Sequence, residues 1–216
     1  MLNYEQQERW SKIVPNWQSP INIITTDTIK EKWNKDLLIF DEEYKFINIL
    51  NKGNNLQYDG RGVAIIEGRK FDFQQLHFHF PAEHQIDGQV YPMELHFVHQ
   101  NIIGQITVVA LFVELGDFNR ELGDFFRDFP AVESEKDPFS AKLSLDGLIG
   151  NLDSGVYHYL GSLTTPPLVK NVEWWVIQKA ITVSSEQLEG IKKRFQHKNA
   201  REIQKVNERK VIYYEN

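Results

Sequence analysis

The sequence has no cysteine among its 216 residues, so it can form neither a disulfide framework nor a thiolate metal site. Any transition-metal site in this chain must therefore use histidine or carboxylate ligands. An excess of positive charge is also absent, since 24 lysines and arginines stand against 30 aspartates and glutamates, for a net charge of −6. This balance argues against a nucleic-acid partner or an anionic membrane surface.

Long apolar runs are missing as well. None approaches the roughly 20 residues that a membrane-spanning helix needs, so no membrane partner is expected. The N-terminal stretch MLNYEQQERW is polar and lacks the apolar core of a secretory signal peptide. Either the protein is cytoplasmic, or it is periplasmic or secreted and a signal peptide was removed; the sequence is compatible with both.

The chain does contain many short alternating or apolar segments separated by turn residues. Eight of them predict strands: EYKFINIL, NLQYDG, VAIIEG, FQQLHFHF, MELHFVHQ, QITVVALFVEL, VYHYLG and VEWWVIQKAITV. Ser184 and Gln187 form a capping-box pattern ahead of apolar residues at helical spacing that end at Phe195, and a shorter helix is predicted over residues 119–129. We therefore expect a mainly β (α+β) single domain over residues 1–216, with a few peripheral helices.

Five of the seven histidines lie in the stretch QQLHFHFPAEHQIDGQVYPMELHFVHQ. In its first strand, alternation places Gln75, His77 and His79 on one face and apolar residues on the other. In its second strand, Glu94 and His96 share one face. The Asp-Gly pair between the strands favours a hairpin turn. If the two strands are neighbours, the third histidine lies beside the first two.

Three neutral imidazoles at one point suit Zn²⁺, and with three protein ligands the fourth tetrahedral position stays open for water. Glu94 can accept the remaining ring N–H of His96, and Gln75 can accept that of His77. The alternative is a half-exposed polar face of a sheet that has no function. That alternative explains this clustering poorly, but it accounts for the remaining histidines: His84, His99, His158 and His197.

A downstream stretch, YHYLGSLTTPPLVKNVEWWVI, extends the pattern. Its GSLTTPP segment, taken with SPINI, QLHFHF, AEH and ELHFVH in this order, closely resembles the α-class carbonic anhydrases. The resemblance runs from Trp10 to Arg201. The short turn after Phe80 and the overall length resemble the bacterial members of that class.

The resemblance implies both a fold and a metal site. The fold would be a single catalytic domain built on a large, mostly antiparallel, twisted central β-sheet. The cofactor would be Zn²⁺. Its ligands would be His77, His79 and His96, and the hydrogen-bond partners of those ligands would be Gln75 and Glu94.

The resemblance also implies a reaction, the reversible hydration of carbon dioxide to bicarbonate and a proton by attack of zinc-bound hydroxide. Thr164 would accept a hydrogen bond from that hydroxide and donate one to Glu83, and Thr165 would shape the bicarbonate site. The apolar pocket for carbon dioxide would be lined by Val98, Val108, Leu163, Val172 and Trp174. The implied partners are carbon dioxide, water and bicarbonate, with weak esterase side activity and a monomeric or homodimeric state.

One departure concerns proton release. Fast members of the class carry a histidine near the cavity mouth that passes protons to solvent, and the aligned residue here is Asn54, which does not titrate. We therefore expect proton release to limit turnover.

Two rival hypotheses are a catalytically silent carbonic-anhydrase-like binding module and an unrelated metal protein that shares only His-x-His. The retained histidines, Glu83 and Thr164 argue against the first. GSLTTPP and SPINI argue against the second.

Overall fold

The alternating segments of the sequence form β-strands in the structure. The structure is a computed structural model that describes residues 3–10, 16–34, 36–126, 135–150, 155–193 and 198–215. All eight predicted segments are strands, and six further strands are short or lie near sheet edges. The strands are β1 (Asn22–Ile23), β2 (Ile29–Lys32), β3 (Leu38–Phe40), β4 (Tyr44–Asn51), β5 (Leu56–Arg61), β6 (Val63–Ile66), β7 (Arg69–His79), β8 (Gln85–Ile86), β9 (Met93–Gln100), β10 (Ile106–Leu115), β11 (Lys136–Leu143), β12 (Val156–Ser162), β13 (Lys170–Val183) and β14 (Ile212–Glu215).

Twelve of these strands form one large sheet. Its main path runs β11-β4-β5-β7-β9-β10-β13-β12-β14-β2, with β6 pairing to β7 and β3 to β6. Only the pairs β10–β13 and β14–β2 are parallel within it. The short strands β1 and β8 form a separate parallel pair. The predicted mainly β fold on a large, mostly antiparallel sheet is therefore confirmed.

Each face of the sheet packs on its own apolar cluster. Along β7 and β9 the buried residues Leu76, Phe78, Leu95 and Phe97 point into the larger cluster. The opposite face carries the polar residues of the same strands, beside a smaller cluster that includes Val108, Val172 and Trp174. Strands β10 and β13 have apolar cover on both faces, which explains their nearly continuous apolar sequences.

The described helices are few and short: α1 (Leu145–Ile149), α2 (Ser185–Lys192) and the 3₁₀ helices Tyr4–Arg9, Thr25–Asp27 and Asp124–Phe126. The predicted capping box is confirmed, since the Ser184 hydroxyl accepts from Gln187 N–H and the Gln187 side chain accepts from Ser184 N–H. Phe195 and His197 lie outside the described residues. Among the residues that are described, no helix is long and apolar enough to cross a membrane.

The second predicted helix, over residues 119–129, is wrong as far as the structure describes it. Up to Phe126 the segment forms turns and a single 3₁₀ helix, and residues 127–129 lie outside the described part. The side-chain oxygen of Asn119 accepts from Leu122 N–H, and its backbone N–H donates to the side-chain oxygen of Gln187 in the first turn of α2. The first bond closes the turn that follows Asn119, and the second holds Asn119 against α2.

His99 shows how completely the larger cluster excludes water. It points away from the other β9 histidine, is fully buried, and donates from Nδ1 to the Phe97 carbonyl at 3.0 Å while its Nε2 accepts from the Tyr44 hydroxyl at 2.8 Å. Burial lowers the pKa of His99 to about 3, because the charged imidazolium would lose its hydration. The structural role expected for His99 from the sequence agrees with this position.

This burial predicts an acid-labile fold. His99 takes up a proton near pH 6.5 when unfolded but only near pH 3 when folded, so its contribution to stability is present above pH 6.5 and is lost as the pH falls toward 3. Between these two pH values, His99 makes the free energy of unfolding fall by about 1.4 kcal/mol for each unit by which the pH is lowered. In denaturant titrations of the metal-free protein between pH 4 and 7, His99→Gln should reduce the pH dependence. An unchanged slope would contradict this assignment.

Candidate metal centre

Strand pairing brings three histidines to one point. In the antiparallel pair β7–β9, His77 lies opposite His96, and His79 lies opposite Glu94. The ring centroids are 5.0 Å apart for His77 and His79, 5.1 Å for His77 and His96, and 4.7 Å for His79 and His96. One nitrogen from each ring falls within 4.8 Å of the others. The predicted pairing of these strands therefore produces a cluster that could hold one metal ion.

The outer nitrogen of each ring is fixed by an acceptor. His77 Nδ1 donates to the Gln75 side-chain oxygen at 2.8 Å, and His79 Nδ1 donates to the Asn199 carbonyl at 2.8 Å. His96 Nε2 donates to Glu94 Oε1 at 2.9 Å. Because each acceptor fixes the proton on the outer nitrogen, the lone pairs of the inner nitrogens are directed at one another. His79 Nε2 is buried and has no hydrogen-bond partner.

Burial keeps two rings of the cluster, His77 and His79, neutral. It lowers the pKa of His77 well below its usual value, and the neighbouring rings of His79 and His96 lower it further. The pKa of His79 is also lowered, mainly by burial. Neutral imidazoles are the form that binds metal ions, so the site is ready for a cation at neutral pH.

Glu94 is the most heavily hydrogen-bonded group at the site. Its Oε2 accepts from the backbone N–H groups of Glu83 at 2.7 Å and His84 at 2.8 Å, and its Oε1 accepts from the rings of His84 at 2.7 Å and His96 at 2.9 Å. Burial alone would raise the pKa of Glu94. The electrostatic interactions and hydrogen bonds with the rings of His84 and His96 outweigh burial and hold this pKa well below the usual range.

His84 therefore has a specific position that the sequence did not indicate. Its ring lies between Glu94 and the Tyr159 hydroxyl, which is 2.6 Å from Nε2, and that hydroxyl is 2.8 Å from the Ser19 hydroxyl. His84, Glu94 and His96 also form a second group of close ligand atoms. The ligand atoms of this second group are already hydrogen-bonded to one another. The cluster of His77, His79 and His96 is therefore the better candidate for a metal ion.

Asn199 is another residue that sequence reasoning missed. Its carbonyl fixes His79, while its side chain accepts from Phe80 N–H at 2.6 Å and donates to the carbonyls of Phe78 and Asn54, both at 2.9 Å. Asn54, the position predicted to lack the shuttle histidine, is thereby tied to the residue that orients a histidine of the cluster. No local pattern in the sequence marks Asn199, because its role depends on a backbone carbonyl and on long-range contacts.

The motifs SPINI and GSLTTPP meet beside the site. Ser19 N–H donates to the Ser162 hydroxyl at 3.0 Å, and Ser162 N–H donates to the Ser19 hydroxyl at 3.2 Å. A side chain at Gly161 would collide with the Ser19 hydroxyl, so only glycine fits there. This contact fixes the start of the loop that carries the two threonines.

Glu83 and Thr164 are both buried at this end of the site. Glu83 Oε1 accepts from Arg201 N–H at 2.8 Å. Glu83 Oε2 is buried and has no hydrogen-bond partner, so the hydrogen bond expected from Thr164 is not formed in this structure. Thr165 is half-buried, and its carbonyl accepts from Leu168 N–H at 3.0 Å.

The five apolar residues predicted to line a substrate pocket share one side of the sheet. Val108 pairs with Val98 on one side and with Trp174 on the other. Val172 belongs to the same cluster, and Leu163 packs against it. The Trp174 ring lies 4.9 Å from the His96 ring, so the apolar wall begins directly beside the histidines.

Comparison with known proteins identifies the family. A model of the eukaryotic-type carbonic anhydrases matches residues 5–215. The chain belongs to that family. A carbonic anhydrase from Pectobacterium carotovorum is 30% identical over 214 residues, covering 94% of this chain and 86% of the relative, and one from Klebsiella pneumoniae is 33% identical over 201 residues, covering 90% and 79%.

A solved structure agrees with this membership. The α-carbonic anhydrase from Thermovibrio ammonificans, in complex with the inhibitor sulfanilamide, superposes with a TM-score of 0.85 at 32% identity, covering 98% of this chain and 96% of that chain. The identification as an α-class carbonic anhydrase of bacterial type is confirmed, and with it the assignment to the lyases.

The hydrogen bonds of Glu94 predict its importance for metal binding in this carbonic anhydrase. Glu94→Gln replaces one acceptor oxygen by an amide nitrogen that cannot accept, so either both histidine rings, which share Oε1, or both backbone N–H groups, which share Oε2, lose their acceptor. We expect the affinity for zinc to fall by about 10- to 100-fold, as measured by competition with a chelator. Asp72→Asn, an exposed carboxylate on the same hairpin, is the matched control. Equal affinities for Glu94→Gln and Asp72→Asn would contradict the prediction.

Proposed function

We propose that this carbonic anhydrase hydrates carbon dioxide reversibly to bicarbonate and a proton, with Zn²⁺ held by His77, His79 and His96. The observation that carries the proposal is the convergence of three inner ring nitrogens, each with its outer nitrogen fixed by an acceptor. The unpartnered, buried His79 Nε2 supports it, because an orphaned buried nitrogen is costly unless something binds there.

The donor set fits zinc. Three neutral imidazoles give a three-nitrogen site with a fourth position left for water, and the chain offers no thiolate competitor. A zinc ion bound there would lower the pKa of a bound water to about 7 and so supply a nucleophile at neutral pH. Gln75, Glu94 and Asn199 would hold the three rings in the orientation that this requires.

Glu83 and Thr164 would orient the nucleophile. Because Glu83 Oε1 is engaged by Arg201 N–H, only its buried Oε2 remains open. We propose that the Thr164 hydroxyl donates to this oxygen in the active enzyme. With its proton committed there, the hydroxyl oxygen can only accept, so it directs a lone pair of the attacking oxygen toward the substrate carbon.

The apolar wall would hold carbon dioxide. Val98, Val108, Leu163, Val172 and Trp174 offer no strong hydrogen bond that would compete for the nucleophile, and they start beside His96. An uncharged molecule is favoured against such a wall, whereas bicarbonate is not, which would assist product release. Thr165 would contact bicarbonate from the loop. The whole chain, residues 1–216, would act as one catalytic domain.

Stopped-flow measurement of carbon dioxide hydration tests the proposal. The purified protein should bind one zinc ion and be active, chelation should abolish activity, and added zinc should restore it. His96→Ala should lose both zinc and activity, while His158→Ala, on another strand of the same sheet, should keep both. Zinc binding without hydration would instead indicate a binding protein. A protein that binds no zinc would contradict the entire assignment.

Proton release would be the slow step of the reaction. Asn54 occupies the position where a shuttle histidine is expected, and its carbonyl is anchored by Asn199 beside the metal cluster. An amide cannot carry a proton between the site and the solvent at neutral pH. Protons would then leave through water chains or to buffer molecules that enter the cavity.

Asn54→His should therefore raise turnover at low buffer concentration. A histidine with a pKa near 6.5 can accept a proton from the site and pass it to solvent, so the gain should be several-fold. The wild-type protein should approach the variant as imidazole buffer is increased. If turnover of the wild-type protein does not depend on buffer, proton release is not limiting and this part of the proposal is wrong.

A further inference from the structure

A polar pocket lies between the residues that precede β1 and the segment that leads to β14. Its volume is about 480 Å³, within the range of small-molecule sites, and it is lined by Asn16, Gln18, Ile203, Gln204, Lys205 and Asn207. Lys205 is the charged residue of this set, and its charge is positive. Among the described residues, this lining shares no member with the histidine cluster. The pocket is therefore a separate place for a ligand.

Gln18 gives the pocket an unsatisfied hydrogen-bond donor. This residue is only 3% exposed, and its side-chain oxygen accepts from Arg201 Nη1 at 2.9 Å. A guanidinium can only donate, so this contact decides which end of the amide is the oxygen. The other end, Nε2, is buried and has no acceptor among the residues that the structure describes. Because a buried donor without an acceptor is unfavourable, an acceptor is expected there.

The walls of the pocket are fixed by backbone contacts. Gln204 N–H donates to the Pro20 carbonyl at 2.8 Å, and Gln204 forms a parallel bridge with Ile21. These contacts join the two segments that enclose the pocket. On one of them, Arg209 Nη2 donates to the Lys205 carbonyl at 2.7 Å. The backbone on both sides is thus in place before a ligand arrives, which lowers the entropic cost of binding.

The polar groups of the pocket favour an anionic ligand. Gln18 Nε2 can only donate, because the oxygen of the same amide is engaged by Arg201. The Arg201 guanidinium also polarises this amide, which makes Nε2 a stronger donor. The Lys205 ammonium likewise offers only donors and adds a positive charge. A ligand whose polar groups are donors would therefore meet two groups that cannot accept.

We propose that this pocket binds a small oxyanion, a class that includes inorganic phosphate and bicarbonate. One oxygen of the anion accepts from Gln18 Nε2 and another accepts from Lys205 Nζ. An oxyanion presents several acceptor oxygens and a negative charge, so it satisfies the buried donor and neutralises the lysine together. The amides of Asn16 and Asn207 lie on the same walls and can donate to the remaining oxygens.

Nuclear magnetic resonance of the isotope-labelled full chain tests the proposal. Inorganic phosphate is titrated into the protein while chloride keeps the ionic strength constant. The side-chain NH₂ signals of Gln18, identified by their absence from Gln18→Glu, should shift and saturate with a dissociation constant on the order of 1 mM. A parallel titration with bicarbonate identifies the natural source, and saturation by either anion or by both supports the oxyanion site.

Two variants and a matched control locate the binding. Gln18→Glu leaves an oxygen for Arg201 but replaces the unsatisfied donor by a charged acceptor, so phosphate binding should weaken by at least about 100-fold. Lys205→Gln should weaken it by about 5- to 10-fold, because water partly screens an exposed cation. Lys179→Gln, at an exposed position on β13, makes the same change in net charge and should bind phosphate like the wild-type protein. The backbone signal of Asn207 reports binding in all of these proteins.

Three results would overturn the proposal. The first is a shift of the Gln18 signals that does not saturate or that chloride alone reproduces. The second is a phosphate response confined to the histidines, which would place the anion at the metal centre. The third is unchanged binding in Gln18→Glu, with its fold verified by circular dichroism. If that variant does not fold, equal affinities of Lys205→Gln and Lys179→Gln would overturn the proposal instead.

Discussion

The site depends on one buried charge, the carboxylate of Glu94. Burying an isolated carboxylate costs several kcal/mol, and this one is stabilised because four N–H groups converge on its two oxygens. Two of those donors come from the backbone at Glu83 and His84, so the same charge fixes the loop that carries Glu83. A third comes from His96, which is thereby turned to present its other nitrogen. Removing the charge would release the loop and the histidine together.

The register of the β-sheet positions the residues of this hydrogen-bond network. From Gln75 to His79, strand β7 alternates in step with β9, with one face buried in the larger apolar cluster, so a slip of one residue would expose Phe78 and Leu95 and bury the histidines among them. The apolar face therefore fixes the register of the polar face. Trp174, from β13, closes the site from the side by packing against both His84 and His96. Apolar packing on one face of the sheet thus fixes the positions of the histidines on the opposite face.

Period-two alternation predicted the strands and the residues that share a strand with the histidines, because those relations are local. It could not predict Asn199, whose contact to His79 spans 120 residues and uses a backbone carbonyl that every residue type possesses. Strand β2 gave no signal because all four of its residues are exposed, and β11 contains Pro138, which is tolerated only at a sheet edge. The helix predicted over residues 119–129 is not formed up to Phe126, and there Asn119 bonds to Gln187 of α2, a long-range contact that no local pattern reveals.

The positions of the described histidines support the proposal that proton release is slow. Three of the described histidines converge at the metal centre, and each of the others is committed elsewhere. His84 is held between Glu94 and Tyr159, His99 is enclosed in the opposite face with Tyr44, and His158 stacks on Trp175 at 4.2 Å. The burial that keeps imidazoles neutral for a metal ion also makes them poor carriers to bulk water. A group that relays protons must reach both the site and the solvent, and we propose that Asn54 occupies that position in this chain.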